Sequence, residues 1–348
     1  MRETDTTHNL RHAKQIAVAG FGDETQRLLS NATVAIVGCG ALGAMQAELL
    51  ARMGVGSLRI ADADIVSLGN LHRQVLFTER DAEEGFPKVA AAATRLAALD
   101  SRLALHTVAE RVTRHNIEAF VGEADLVLDA TDNTATRFLI NDYCVRNALP
   151  WIYAGVAGTD GLVFPVLPGE GPCLRCLYPE PPAEEDAATC AASGILPTTV
   201  ALAVSLQITQ AVRILNRTAK PGTLIRLNAW DASVRTAAVH RNPACPCCGL
   251  RRFDLLDAPA SPEPPLASSV CSQRLVRIEA AFWEPGAFDS GQALDAAARR
   301  GASVTRKGLL WIVHDGERRF SLFPDGHLLA HECVDPDTAL AAARALFL

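Results

Sequence analysis

A chain of 348 residues can hold one large domain and a smaller one, and 49% hydrophobic residues are enough for a substantial core. A net charge of −6 argues against a general nucleic-acid binder. The longest apolar runs, such as Val34–Val37 and Leu126–Leu128, are short and interrupted by charge, and the start Met1-Arg2-Glu3-Thr4-Asp5 is polar; no transmembrane helix, membrane partner or signal segment is expected, and a soluble cytoplasmic protein is the default.

In chain order, Thr33–Val37 reads as a strand, Ala44–Met53 as a helix and Ser57–Ala61 as the next strand. Pro87–Leu99 follows as a helix with Lys88 in its first turn, then strand Ala104–Val108, short helix Asn116–Phe120, strand Leu126–Asp129, helix Thr136–Asn147 and strand Trp151–Gly155. Alternation of this kind predicts βαβ units and an α/β fold, a Rossmann-like, mostly parallel sheet extended by further strands. Pro179–Ala192 reads as a Pro-rich and acidic loop, and Thr198–Leu215 as a long apolar helix buried on most sides, a subunit contact included. The run Asp257 to Pro265 is a linker by composition. The predicted organisation is a catalytic domain with a zinc site over 1–256, a linker over 257–268 and a small α+β C-terminal domain over 269–348. In that domain Leu309–His314 and Arg319–Phe323 form a hairpin across Asp315-Gly316, and Pro336–Phe347 is helical.

The sequence Val34-Ala-Ile-Val-Gly38-Cys-Gly40-Ala-Leu-Gly43 places G-x-G-x-x-G between a strand and a helix. Such glycines allow a tight turn and bring phosphate close to backbone N–H groups at a helix N-terminus. Asp62 ends the second strand about 20 residues on, where a carboxylate holds a ribose hydroxyl. Asn70, Arg73, Gln74 and Lys88 then follow. A dehydrogenase has no need of so many cationic and amide groups after its second strand. An enzyme that breaks a triphosphate does, because pyrophosphate leaves as an anion. Asp132 follows the strand Leu126–Asp129, at the sheet edge where such folds bind ligands; it is a candidate for Mg²⁺, the alternative being a cap for the following helix.

Of ten cysteines, four form two C-x-x-C pairs, Cys173/Cys176 and Cys245/Cys248. Four paired thiolates match a closed, structural Zn²⁺ site that ties distant segments together. Cys247 is the odd member and not a ligand. Cys190 lies just before the long helix and reads equally as a nucleophile of lowered pKa or as a buried filler; Cys39, Cys144, Cys271 and Cys333 read as packing.

Together, Arg11-His-Ala-Lys14-Gln, Phe21-Gly22, Gly38–Gly43, Asp62, Asn70-Leu-His-Arg73-Gln74, Pro87-Lys88, Asp129-Ala-Thr-Asp132-Asn133 and the cysteine pairs resemble the bacterial relatives of ubiquitin-activating enzymes, the adenylyltransferases of molybdopterin and thiamine sulfur-carrier biosynthesis. The resemblance covers roughly residues 8 to 250. It implies ATP-dependent adenylation of the C-terminal glycine of a ubiquitin-like sulfur carrier ending in Gly-Gly, in preparation for a thiocarboxylate. It also implies that Gly38, Gly40 and Gly43 lie beside ATP, Asp62 holds the ribose, Asn70, Arg73, Gln74 and Lys88 contact phosphates, and Asp132 serves Mg²⁺ and the acyl-adenylate. Cys173, Cys176, Cys245 and Cys248 would bind zinc, and Cys190 would serve sulfur transfer. Such enzymes are homodimers in which an N-terminal arginine enters the partner's ATP site; that position resembles Lys14 here, which keeps the charge without the planar fork. The C-terminal part resembles tails on some members through Phe320-Ser-Leu-Phe-Pro-Asp-Gly326 and is not read as a rhodanese, so sulfur would come from another protein such as a cysteine desulfurase or rhodanese. The alternatives are adenylation of a peptide or small carboxylic acid, and a NAD-dependent oxidoreductase built on Gly38–Gly43.

Overall fold

The computed structural model describes residues 3–180, 194–257, 266–269, 275–283, 288–307 and 310–348. Cys190, Cys271 and most of the acidic loop fall outside the described residues. The first sheet has eight strands: β1 (Thr33–Val37), β2 (Ser57–Ala61), β3 (Ala104–Val108), β4 (Leu126–Asp129), β5 (Trp151–Ala157), β6 (Asp160–Val166), β7 (Thr223–Asn228) and β8 (Ser233–Ala238). Their order is β3-β2-β1-β4-β5-β6-β7-β8. Strands β3 to β5 in that order pair parallel, and β6, β7 and β8 extend the sheet antiparallel. The order reverses at β1, whose neighbours are β2 and β4, which puts a crevice at the carboxyl ends of these strands.

Alternation along β1 sorts the helices. Val34 and Ile36 face a core shared with α3 (Ala41–Met53), α5 (Lys88–Leu99) and α9 (Pro197–Leu215), whereas Ala35 and Val37 face a second core with α6 (Ile117–Val121) and α7 (Thr134–Arg146). Two N-terminal helices, α1 (Glu3–Ile16) and α2 (Gly22–Asn31), pack on each other. Between β2 and α5 lies a long crossover carrying a short 3-10 helix (Leu68–Asn70) and α4 (Glu79–Glu84), the latter opened by a Thr78–Asp81 capping box.

The long apolar helix read over Thr198–Leu215 is found as α9. Helix α9, with a mean hydropathy of 1.3, is long and apolar enough to cross a membrane by length and composition. More than half of it is buried, against α3, β5 and β6, so it is a core helix here, with Ser205 and Thr209 on its exposed side. Continuous apolarity reflects burial between a helix and a sheet.

The second sheet is antiparallel throughout. It contains β9 (Ala267–Ser269), β10 (Leu275–Ile278), β11 (Ser303–Lys307), β12 (Leu310–His314), β13 (Arg319–Leu322) and β14 (Leu328–His331), in the order β11-β12-β13-β14-β10-β9. Strand β9 begins inside the stretch read as linker. The expected hairpin joins β12 to β13, with Gly316 at φ +97°. After α8 (Leu174–Leu177) and α9, helices α10 (Ser290–Arg299) and α11 (Pro336–Phe347) complete the chain and close a core around Val276, Trp283, Phe320 and Phe347.

Two buried glutamines fix the end of β4. Gln207 of α9 donates to the carbonyls of Ile152, at 3.0 Å, and Asp129, at 3.2 Å, while Gln46 of α3 donates to Gln207 Oε1 at 2.6 Å and to the same Asp129 carbonyl at 3.2 Å. The Asp129 carbonyl, at the last residue of β4, is thus bonded by side chains from two helices. Replacing Gln207 with Leu should leave buried polar groups unpaired and cost about 2–4 kcal/mol, read as a lower urea midpoint at unchanged slope.

Candidate active site

Each of the three loop glycines answers a different demand. Gly38 has φ +99°, and a Cβ there would lie 2.6 Å from the Ala130 carbonyl oxygen. At Gly43, in the first turn of α3, a Cβ would fall 2.0 Å from the Gly38 oxygen. Both are required by the turn itself. Gly40 is open: the nearest atom to a Cβ there is Gln74 Nε2 at 3.8 Å. A phosphate can therefore approach backbone at Gly40, at the start of α3, with Gln74 opposite. Asp62 holds this loop in place. Its Oδ2 accepts from the Cys39 N–H at 2.6 Å and its Oδ1 from the Asp64 N–H at 2.8 Å. Each oxygen retains a lone pair for a hydroxyl donor.

The crossover brings in the cations. The Asn70 side-chain oxygen accepts from Arg73 Nη2 at 3.1 Å and from Gln74 Nε2 at 3.0 Å, and Arg73 Nη1 also donates to the Gly69 carbonyl at 2.9 Å. Asn70 is buried and orients the other two rather than offering its oxygen to a ligand. Gln74 Oε1 is buried without a partner. Lys88 is buried as well, and its Nζ donates to Asp64 Oδ2 at 2.9 Å. Burial works to lower the Lys88 pKa, but Asp62 and Asp64 outweigh it and raise it. Burial likewise opposes ionisation of Asp64, yet Lys88, Arg277 and Arg111 hold it at about 2, while burial pushes the Asp62 carboxyl up. The lysine is fully charged and already engaged.

At the end of β4 the sequence reading is sharpened twice. Asn133, not Asp132, caps α7: its side chain accepts from the Thr136 N–H at 2.9 Å. Asp132 is left exposed, and its charge reaches Arg73, Lys88 and Arg137. Arg137 was not anticipated. Its Nε donates to buried Asp129 at 3.1 Å, and its guanidinium lies 5.3 Å over the Tyr153 ring. Burial raises the Asp129 pKa, and Arg137 opposes the rise. The available signal was Asp129 itself, since a carboxylate ending a buried strand needs a cation.

Lys14 is not brought to this site. The next residue, Gln15, bonds the carbonyl of Met53 at 3.0 Å, at the far end of α3. The thirteen residues of α3 separate that point from Gly40, roughly 20 Å at helical rise. Arg11 is committed nearby, to Asp100 at 2.5 Å and to the Leu99 carbonyl at 2.8 Å.

The four paired cysteines do converge. The sulfurs of Cys173, Cys176, Cys245 and Cys248 lie within 4.8 Å of one another, with Cys173–Cys245 at 3.6 Å and Cys176–Cys248 at 3.4 Å. Disulfides would need about 2.05 Å. Tetrahedral Zn²⁺ with bonds of about 2.3 Å sets sulfurs about 3.8 Å apart, so the cluster fits that ion. Cys247 instead accepts from Asn141 Nδ2 at 3.2 Å.

The ThiF family model matches residues 12–247. The chain belongs to the ThiF family. It is 33% identical over 342 residues to the sulfur carrier protein ThiS adenylyltransferase of Bacillus subtilis, covering 97% of this chain and 98% of that one, C-terminal region included. It is 35% identical over 253 residues to the molybdopterin-synthase adenylyltransferase of Escherichia coli, covering 72% of this chain and 100% of that one. A crystal structure of E. coli MccB with ATP shares the fold, with a TM-score of 0.58 at 22% identity over 72% of this chain and 82% of that one.

The cysteine cluster yields a direct check. The purified chain should carry about one Zn²⁺ per polypeptide, and Cys248→Ala should lose most of it with a lowered melting temperature; elemental analysis and thermal unfolding read both.

Proposed function

We propose that this chain uses ATP to adenylate the C-terminal glycine carboxylate of a ubiquitin-like sulfur-carrier protein, releasing pyrophosphate. The observation that carries the reading is the convergence of open Gly40, Asp62, Arg73, Gln74, Lys88 and exposed Asp132 on one sheet edge, in a family whose named relatives activate sulfur carriers.

A peptide C-terminus has a pKa of about 3.5 and is already anionic at neutral pH, so no general base is required. Its oxygen forms a bond to the α-phosphorus while the bond to the β-phosphate oxygen breaks, giving an acyl-adenylate and pyrophosphate. The obstacle is charge repulsion between an anion and a polyanion. Arg73 and Lys88 oppose it and stabilise the departing pyrophosphate, Asp62 holds the ribose, and the N–H groups at the start of α3 hold phosphate. Asp132, exposed and not used as a cap, fits Mg²⁺, which binds through one or two carboxylates plus phosphates and supplies further neutralisation. A sulfur nucleophile from a separate donor protein then attacks the carrier's acyl carbon as AMP leaves, and Cys190 is this chain's candidate residue for that transfer.

The domain division is part of the reading: an adenylyltransferase domain to residue 256, then a linker shortened by β9, then the C-terminal domain. So is a homodimer. Lys14 lies far from its own site, and Leu10 and Val18 are exposed on the same N-terminal segment, which favours Lys14 acting in the partner's site.

Carrier-dependent exchange of pyrophosphate into ATP tests the reaction. A Gly-Gly-ended carrier should support it and small carboxylic acids should not; exchange with small acids alone would sink the carrier assignment. Asp132→Ala should lower exchange by about 10²–10³-fold. If Lys14 acts across the dimer, Lys14→Ala is also impaired, and co-refolding it with Asp132→Ala restores about a quarter of wild-type activity, since half the dimers are mixed and each has one complete site. No recovery on mixing refutes the trans role.

A further inference from the structure

The family match ends at residue 247, yet the C-terminal sheet rests on the segment that joins Asp62 to Lys88. That segment is closed at its base: Ile65 bridges Pro87, the Val66 N–H donates to the Phe86 carbonyl at 2.8 Å, and the Lys88 N–H donates to the Asp64 carbonyl at 3.0 Å. The C-terminal sheet grips both ends of it. At the first end, His327 Nε2 lies 3.2 Å from the Ala63 carbonyl oxygen, with its Nδ1 2.5 Å from Asp325 and its ring stacked on Phe323. At the second, Arg319 Nη2 donates to the Glu84 carbonyl at 2.7 Å and Lys307 Nζ pairs with the Glu84 carboxylate at 3.1 Å. Between them Leu275, Leu310, Phe323 and Leu329 share one apolar cluster with Ile65 and Val66.

Arg277 of β10 stands out in this junction. It is buried, its Nε donates to Glu279 at 3.0 Å, and its Nη1 has no hydrogen-bond partner. Apolar side chains would have attached the two parts without the cost of burying a guanidinium. The charges acting on it are Glu279, Asp64, Asp325 and Arg111, and together with Lys88 and Arg111 it keeps Asp64 ionised.

We propose that the C-terminal domain is a strut for the nucleotide site, in which His327, held at the Ala63 carbonyl between Asp62 and Asp64, fixes Asp64 and through Asp64 the position of Lys88 Nζ. His327 is thereby a positioning residue. The inference rests on the adenylation reading only in taking Lys88 as a phosphate ligand. The E. coli relative, matched over its whole length by 72% of this chain, lacks room for such a domain. The chemistry therefore does not demand the strut, and its effect falls on how firmly ATP is held.

The test uses the full chain. ATP with Mg²⁺ is titrated by calorimetry without any carrier, acetylation of Lys88 by acetic anhydride is followed by mass spectrometry, and melting temperature is recorded alongside. His327→Leu should weaken ATP binding about tenfold and speed Lys88 acetylation, with His327→Gln between it and wild type. A lowered melting temperature with unchanged ATP affinity and unchanged Lys88 reactivity would make the domain simple packing and overturn the proposal. Should His327→Leu fail to fold, His327→Gln, which keeps a polar group toward Ala63, decides by the same two readouts. If wild type binds ATP but exchanges no pyrophosphate with any carrier, the adenylation reading fails, and the strut is judged by binding alone.

Discussion

A lysine ammonium buried at a sheet edge must be compensated, and the compensation of Lys88 organises the site. Asp64 takes its Nζ directly, and Asp62 adds a second negative charge. Asp62 at the same time accepts the Cys39 N–H and so pins the glycine loop. Glycine loop, Asp62 and the far end of the crossover are therefore one electrostatic unit. Because the folded pKa of Asp64 is about 2, below the ordinary aspartate value, its contribution is complete above the unfolded pKa and is lost only as pH falls toward 2. The brace is intact at any pH where a peptide carboxylate is a nucleophile.

The strands were legible almost to the residue. Thr33–Val37, Ser57–Ala61, Ala104–Val108 and Leu126–Asp129 are short β-rich runs with clear ends, and each is found where it was read. Helix starts were less so. Helix α3 begins at Ala41 rather than Ala44 because Gly43, a poor helix former, lies inside the first turn to let the loop close on it. Helix α7 begins at Thr134 because Asn133 supplies the cap, a choice that Asp132-Asn133 leaves open in sequence.

For the candidate site, spacing named candidate residues but not their partners. That Asn70 spends its oxygen on Arg73 and Gln74, and that Lys88 reaches back to Asp64, are facts of side-chain geometry across a crossover no periodicity describes. Arg137 was missed because it sits in a helix that reads as structural, although buried Asp129 required a cation nearby. The docking of the C-terminal sheet was illegible for a simpler reason. Its bonds to Ala63 and Glu84 join residues more than 200 positions apart, and one-dimensional patterns carry no information on such pairs.

The cysteine cluster, on the opposite face from α9, is also connected to the active edge. Asn141 donates to Cys247 and accepts from the Leu174 N–H at 2.9 Å, so both segments that bear the C-x-x-C pairs are bonded to α7. The first turn of α7 is capped by Asn133, next to Asp132. A closed tetrathiolate site has no open position for chemistry, but it can fix the helix whose N-terminus presents the free carboxylate. On the other face Gln46 and Gln207 fix the carbonyl of Asp129, three residues earlier. The turn from Asp129 to Asn133 is thus held from both sides of the sheet, and within it Asp132 is the exposed carboxylate.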